Sequence, residues 1–365
     1  MDTNRRGFLG IGAMASAGAL MAGGKASAAD GRAGTVKFCV FADIHYRPGP
    51  KGFPHSTKEW LGRVLDRAER ENCDFVIHCG DFCHNPAADK DYVDFYNNFK
   101  LPTYHTIGNH DDDGCSHDET LKAYGIKSGH YFFDRNGFRF IVIDANHVRW
   151  ADGRLEHYSN GNYYKKNKVP ELKKFYDQGK EDVIGVVDPA QLEWLKRTID
   201  ESPFPCVCFS HQSFERLAGN PCNSGVEVRA IFDAANAKTP GKVRLAINGH
   251  HHCDNLRMLE QVLYFDLNSA SFQWMGTKHS HTNYPDSFFA ANGQQPRAVP
   301  WLSWDDPINA VVTMTVDGRI KIEGMRSKFS CGVTPKMCKN FFLDSCGRET
   351  VPYVQSVDMT LKYGG

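Results

Sequence analysis

"VKFCVFADIH", residues 36–45, sets the reading of the whole chain: an apolar run broken only by Lys37 stops abruptly at an Asp-x-His triplet. A run with no polar alternation suits a strand buried on both faces, the kind found inside parallel sheets covered by helices. Its continuation puts Asp43 and His45 where the strand would end. The same pattern recurs downstream. "FVIHCGD" (75–81) ends in Gly80-Asp81, "PTYHTIGNHD" (102–111) in Gly108-Asn109-His110-Asp111, "CVCFSH" (206–211) in His211, and "RLAINGHHH" (244–252) in Gly249-His250-His251-His252.

Between these runs the periodicity changes to that of helices. "STKEWLGRVLDRAEREN" (56–72) reads as a helix, with Ser56 and Glu59 at capping-box spacing. "AADKDYVDFYNNF" (87–99), "DPAQLEWLKRTIDE" (188–201) and the stretch from Val228 to Ala237 read likewise. "YFFDRNGFRFIVID" (131–144) is a hairpin turning at Asn136-Gly137, and residues 309–326 form another turning at Asp317-Gly318. Alternating strands and helices indicate an α/β fold. Residues 145–185, rich in Tyr, Asn, Lys and Gly, read as an inserted excursion that could serve as a lid or simply as solvated chain. Residues 331–365 read as an appended tail.

With 365 residues, 41% of them hydrophobic, the chain can bury a large core. Lys+Arg and Asp+Glu both number 43, so no global field draws it to nucleic acid, and no nucleic-acid partner is expected. The N-terminus places Arg5-Arg6 before a short apolar, Gly- and Ala-rich run and then Ala26-Ser27-Ala28. That is the order of a cleavable export signal, here taken as residues 1–28. The arginine pair followed by Gly-Phe-Leu resembles a twin-arginine signal, which implies export to the periplasm or beyond and no stable membrane anchor after cleavage. Most of the 12 cysteines lie in apolar strand runs and are expected to be small buried hydrophobes; Cys331, Cys338 and Cys346 are the better disulfide candidates. His78 and His105, inside strands, are expected to be core residues.

Ligands of open α/β sheets collect outside the carboxyl ends of the strands, so five separate strand ends would converge on one place. Two carboxylates, an amide oxygen and four or five imidazoles form a mixed oxygen and nitrogen donor set. Such a set suits Mn, Fe or Zn and is too large for one ion. It fits a pair of ions sharing a carboxylate, as in two-metal phosphoryl transfer.

The series Asp-x-His, Gly-Asp, Gly-Asn-His-Asp, a lone His, then Gly-His-x-His resembles the calcineurin-like metallophosphoesterase superfamily, from about Thr35 to about Asn268. The resemblance implies a four-layer α/β/β/α sandwich of two mixed sheets flanked by helices, occupying residues 29–330. It also implies a ligand set: Asp43, His45, Asp81 and His252 for one divalent ion, and Asp81, Asn109, His211 and His250 for the other. His110 would face the substrate. Asp111 is expected either to orient His110 or to cap the following loop, and His84 and His251 are candidate substrate contacts, His251 equally a bystander.

The implied reaction is in-line hydrolysis of a small phosphoester by a hydroxide bridging the two ions. His84 stands where the purple acid phosphatases of the superfamily carry a tyrosine, and the Asp-x-His opening looks like the phosphodiesterase-rich branch. Diesters are therefore the favoured substrates. A broad phosphomonoesterase, a nucleotide-cleaving enzyme and a non-catalytic metal-binding scaffold are the alternatives.

Overall fold

The computed structural model describes residues 34–47, 57–149, 153, 155–157, 184–215, 222–275, 301–330 and 350–363. The expected signal segment, Ser56, most of the 145–185 excursion and Cys331, Cys338 and Cys346 lie outside the described residues. Two six-stranded sheets dominate. In the first, the order is Val357–Thr360, Arg319–Glu323, Ala310–Thr315, Thr35–Phe41, Phe75–Cys79, Thr103–Thr106. Its last three strands are parallel and the others antiparallel. In the second, Phe138–Val142, Cys206–Ser210, Val243–Asn248 and Val262–Asp266 run parallel, with antiparallel strands Tyr131–Arg135 and Asn255–Leu259 at the edges.

Three apolar cores separate four layers. Phe38 and Val40 point between the sheets, where they meet Phe140, Val142, Val207, Phe209, Leu245 and Ile247. Their neighbours Cys39 and Phe41 point the other way, onto Trp60, Leu61, Val64 and Tyr96 of the helices covering the first sheet. Ile141, Cys206 and Cys208 do the same on the second sheet, beneath Leu195, Ile199, Val228 and Phe232. Strand residues alternate in direction, so a strand buried on both faces needs apolar residues at every position. This is why "VKFCVF" is apolar on both faces apart from Lys37, which lies part-buried near the strand start and pairs with Glu71, and the layering bears out the four-layer α/β/β/α expectation. The strand cysteines are free and buried, as expected.

The helices follow local signals. Lys58–Arg70 begins at Thr57, whose hydroxyl accepts from the Trp60 N–H, one residue after the Ser56 expected to cap it. Arg67, in its last turn, donates to Asn309 and to the Glu323 carbonyl and so ties the helix to the first sheet. Helix His117–Tyr124 has no counterpart among the sequence expectations. It starts with a full capping box, Ser116 and Glu119, and stops at Gly125 with φ 71°. The Asn136-Gly137 hairpin turns as expected, both residues at positive φ.

One expectation needs correction. The 331–365 tail is not merely appended, because Val357–Thr360 pairs with Arg319–Glu323 and forms the edge of the first sheet. Part of the 145–185 excursion is ordered as strands His147–Arg149, Leu155–His157 and Ile184–Val186, which form a small sheet of their own. Among the described residues no helix is long and apolar enough to cross a membrane.

Candidate metal centre

The parallel strands of both sheets deliver their carboxyl ends to one site. Two donor groups form there: Asp43, His45 and His252, and Asp81, His211 and His250. They are drawn from the ends of Thr35–Phe41, Phe75–Cys79, Cys206–Ser210 and Val243–Asn248. The backbone is distorted to present them. Asp43 (φ 53°), His45 (52°), Asp81 (51°), His250 (68°) and His252 (48°) make up five of the nine non-glycine residues in the left-handed region among the described residues. Such conformations cost energy and persist where surrounding structure holds them. Ser269 and Ser271 help, each donating its hydroxyl to the Asp43 carbonyl (2.8 and 2.9 Å). The preceding glycines serve close approach rather than turning alone. A Cβ at Gly108 would strike the Asp81 carboxylate, one at Gly249 the Asp43 carboxylate, and one at Gly80 the His211 ring.

The ring orientations are fixed from behind. His211 Nδ1–H donates to the Cys79 carbonyl (2.8 Å) and His252 Nδ1–H to that of Phe272 (2.6 Å). Each neutral ring then turns the lone pair of Nε2 into the site. There His252 Nε2 is 3.0 Å from His45 Nε2 and 3.2 Å from Asp43 Oδ1. His211 Nε2 lies 3.0 Å from Asn109 Oδ1, 3.1 Å from His250 Nδ1 and 3.2 Å from Asp81 Oδ2. Asp81 Oδ2 also lies 3.6 Å from His45 Nε2, so one carboxylate oxygen stands between the two groups.

Lone pairs facing one another at such spacings repel unless a cation lies among them. The edges of a tetrahedron or octahedron with bonds of about 2.1 Å measure roughly 3.0–3.5 Å, close to the spacings here. The donor set therefore fits divalent transition ions. Without one, protons serve: burial, the largest single influence, would lower His110 and His211, but the Asp81 carboxylate, together with Asp113 for His110 and with Asp43 and the Cys79 carbonyl for His211, lifts each to about 9. His45 and His250 go the other way, burial holding both well below the usual imidazole range.

His110 differs from the rest of the site. Its side chain is 42% exposed, against 6% for His45 and 0% for His211. Its backbone N–H donates to Asp81 Oδ1 (2.7 Å), and its Nδ1 faces Asp113 Oδ2 (2.9 Å), which leaves Nε2 directed outward.

One expectation changes at this point. Asp111 does not orient His110. Its oxygens accept from the N–H groups of Asp81, Phe82, Cys83 and Gly108 and from the Tyr124 hydroxyl, tying the two ligand-bearing loops together. Burial and the Asp81 charge push its carboxyl up to about 7, against the pull of those donors. Both ring nitrogens of His84 are engaged, Nε2 facing His45 Nδ1 (3.1 Å) and Nδ1 facing Asp113 Oδ2 (2.5 Å). His251 is buried edge-on against His250 and outside both donor groups.

Sequence reasoning passes over Asp113, the shared partner of His84 and His110. The signal lies in "NHDDDG", where three successive acids follow His110 and only the third stands i+3 from it. His78 and His105 pair in the core as expected, Nε2 to Nδ1 at 2.8 Å.

The family model for calcineurin-like phosphoesterases matches residues 36–254, more than half of the chain. The chain is 29% identical over 251 residues to a manganese-dependent ADP-ribose/CDP-alcohol diphosphatase of Arabidopsis thaliana, covering 60% of this chain and 79% of that one. A dimetal phosphatase from Danio rerio superposes with a TM-score of 0.54 at 15% identity, covering 89% of this chain and 98% of that structure.

Proposed function

The chain belongs to the calcineurin-like phosphoesterase family, a family of metal-dependent phosphoesterases, and we propose that it is an exported two-metal hydrolase of phosphodiester-type bonds. The observation that carries this reading is the single oxygen, Asp81 Oδ2, standing between two separate groups of inward-facing donors. In the proposed assignment Asp43, His45, Asp81 and His252 hold one ion, and Asp81, Asn109, His211 and His250 the other. Bound there, two ions of the Mn, Fe or Zn type would lower the pKa of a water toward neutrality and neutralise charge on the phosphoryl oxygens.

The rest falls to the chain's own side chains. Asp43 and Asp81 bring two negative charges; two dications leave the site at about +2, suited to an anionic ester. Asp113 holds His110 by Nδ1. Its outward Nε2–H would then donate to the leaving oxygen as the phosphorus–oxygen bond breaks. Asp111 keeps the Asp81 and Asn109 loops in register, and His84 braces His45 against Asp113.

For the substrate, the Arabidopsis relative supports a phosphoanhydride flanked by two esterified phosphates, as in ADP-ribose or a CDP-alcohol. This is the diester-like end of the range expected from the residues. Export rests on Arg5-Arg6, the apolar run and Ala26-Ser27-Ala28.

The test is hydrolysis of ADP-ribose, CDP-choline, bis-p-nitrophenyl phosphate and p-nitrophenyl phosphate by protein reconstituted with Mn2+. The expected result is faster turnover of the first three. Faster turnover of p-nitrophenyl phosphate would make the protein a monoesterase, and inactivity toward all four with two ions bound would return it to a metal-binding scaffold. Cell fractionation with and without the Arg5→Lys/Arg6→Lys double change tests export, which fails as a reading if both forms stay in the cytoplasm.

A further inference from the structure

A second cluster of imidazoles and carboxylates lies outside the strand-end site and shares no residue with it. Asp112 follows the Asn109-His110 turn, His117 is the first residue of helix His117–Tyr124, and His157 ends the strand Leu155–His157 of the small sheet. One carboxylate oxygen, Asp112 Oδ2, faces two ring nitrogens: His117 Nδ1 at 3.2 Å and His157 Nδ1 at 3.7 Å. The two rings stack with centroids 3.6 Å apart. The outer nitrogen of His157, Nε2, lies 3.0 Å from Asp144 Oδ2.

The hydrogen bonding of this cluster is incomplete. The Asp112 side chain is only 1% exposed, yet its Oδ1 has no hydrogen-bond partner among the described residues, and neither has His157 Nδ1. His157 Nε2–H goes to Asp144, so a neutral ring turns the lone pair of Nδ1 toward an anionic oxygen. Protonation of His157, which the Asp144 and Asp112 carboxylates favour against burial, answers Asp144, but at 3.7 Å its Nδ1–H is too far from Asp112 Oδ2 to bond it. Buried polar groups left in this state destabilise a fold. A dication among Oδ2 and the two Nδ1 atoms gives His157 Nδ1 a partner and balances the charges of Asp112 and Asp144, while Oδ1 stays outside the donor set. A carboxylate on the outer nitrogen is also the arrangement that orients imidazole ligands of metals.

We propose that Asp112, His117 and His157 form a third divalent-metal site, separate from the strand-end pair, suited to a borderline ion such as Zn2+. Two imidazoles and one carboxylate leave a fourth position open. His147, whose buried Nδ1 also lacks a partner among the described residues and whose ring lies 5.1 Å from that of His157, is a candidate to fill it. The ligands come from three elements: the loop behind Asn109 and His110, the start of a helix, and the inserted small sheet. An ion here would clip the insertion to the loop that carries His110, a structural role that needs no contact with substrate.

The site is tested by counting ions. Full-length protein is stripped with chelator, loaded with Zn2+ alone, passed through gel filtration and analysed by plasma mass spectrometry. His117→Ala and His157→Ala should each carry one Zn2+ fewer per chain than the unaltered protein, with far-UV circular dichroism unchanged. Asp81→Asn should lose the ions of the strand-end pair while keeping this one, so the two readings fail separately. Should the alanine variants not fold, His117→Gln, altered only at a helix terminus, decides in their place. An unchanged Zn2+ count in the folded variants would overturn the proposal.

Discussion

Two groups of buried histidines behave in opposite ways. In the core pair, His78 Nε2 meets His105 Nδ1, His105 Nε2 meets Asn97 Oδ1 (2.7 Å), and His78 Nδ1 accepts from the Gly80 N–H (3.2 Å). Every nitrogen has a neutral partner, and burial holds both rings below the usual imidazole range. At the strand ends, Asp43 and Asp81 face His45, His211 and His252. Two of those rings are turned by backbone carbonyls so that their lone pairs point inward. Burial therefore does not tell a structural histidine from a functional one. What separates the two groups is where the lone pairs point, and whether the backbone adopts strained conformations to hold them there: five strand-end residues do, and neither His78 nor His105 does.

Four variants probe that contrast, in falling order of effect. Asp81→Asn keeps an acceptor for the His110 N–H but loses the shared charge. It should empty the strand-end pair and cut kcat by roughly 10³-fold or more, since ion-supplied charge stabilisation is worth several kcal/mol. Metal analysis alongside kinetics checks it. His110→Asn should keep both ions and lower kcat by roughly 10²-fold or more, the size of a lost proton donor. An equal loss of metal would place His110 among the ligands instead. Asp113→Asn should cost less, roughly 10–100-fold in kcat with KM little changed, as expected for a group acting through His110 and His84.

The core pair should give the reverse pattern. His105→Phe leaves His78 Nε2 without its partner and should destabilise the fold by about 1–3 kcal/mol, with metal content and kcat unchanged. The pH dependence has a definite sign. His105 is neutral when folded, its pKa lowered to about 3 by burial, whereas the unfolded chain binds a proton near 6.5. Stability is thus complete above about pH 6.5 and is lost as pH falls toward 3, by up to about 1.4 kcal/mol per unit. Chemical denaturation across that range should show a shallower slope for the variant. An identical slope would mean that the pair is not neutral in the fold.

Much of this is legible in the sequence because strand-end chemistry is written in short, rigid motifs. Gly80-Asp81, Gly108-Asn109 and Gly249-His250 stand out because side chains approach those glycines too closely for a Cβ. The doubly buried strands are equally plain, since a run apolar at nearly every position suits little besides a strand covered on both faces. What stays hidden depends on tertiary context. Asp111 and Asp113 differ by two positions in a run of three acids, and only the turn geometry sends one to backbone N–H groups and the other to His110 and His84. Val357–Thr360 is half-exposed along its length and finds its place by pairing with Arg319–Glu323. The hairpin at Glu260-Gln261 has both residues at positive φ and carries neither Gly nor Asn to announce it.

Asp81 joining two ions is the central claim, and anomalous diffraction from crystals of the Mn2+-loaded protein tests it most directly. Two peaks on either side of Asp81 Oδ2, about 3.5–4 Å apart, one against His45 and His252 and the other against His211 and His250, are the expected result. A single peak within these residues, or a pair that Asp81 does not touch, would contradict it.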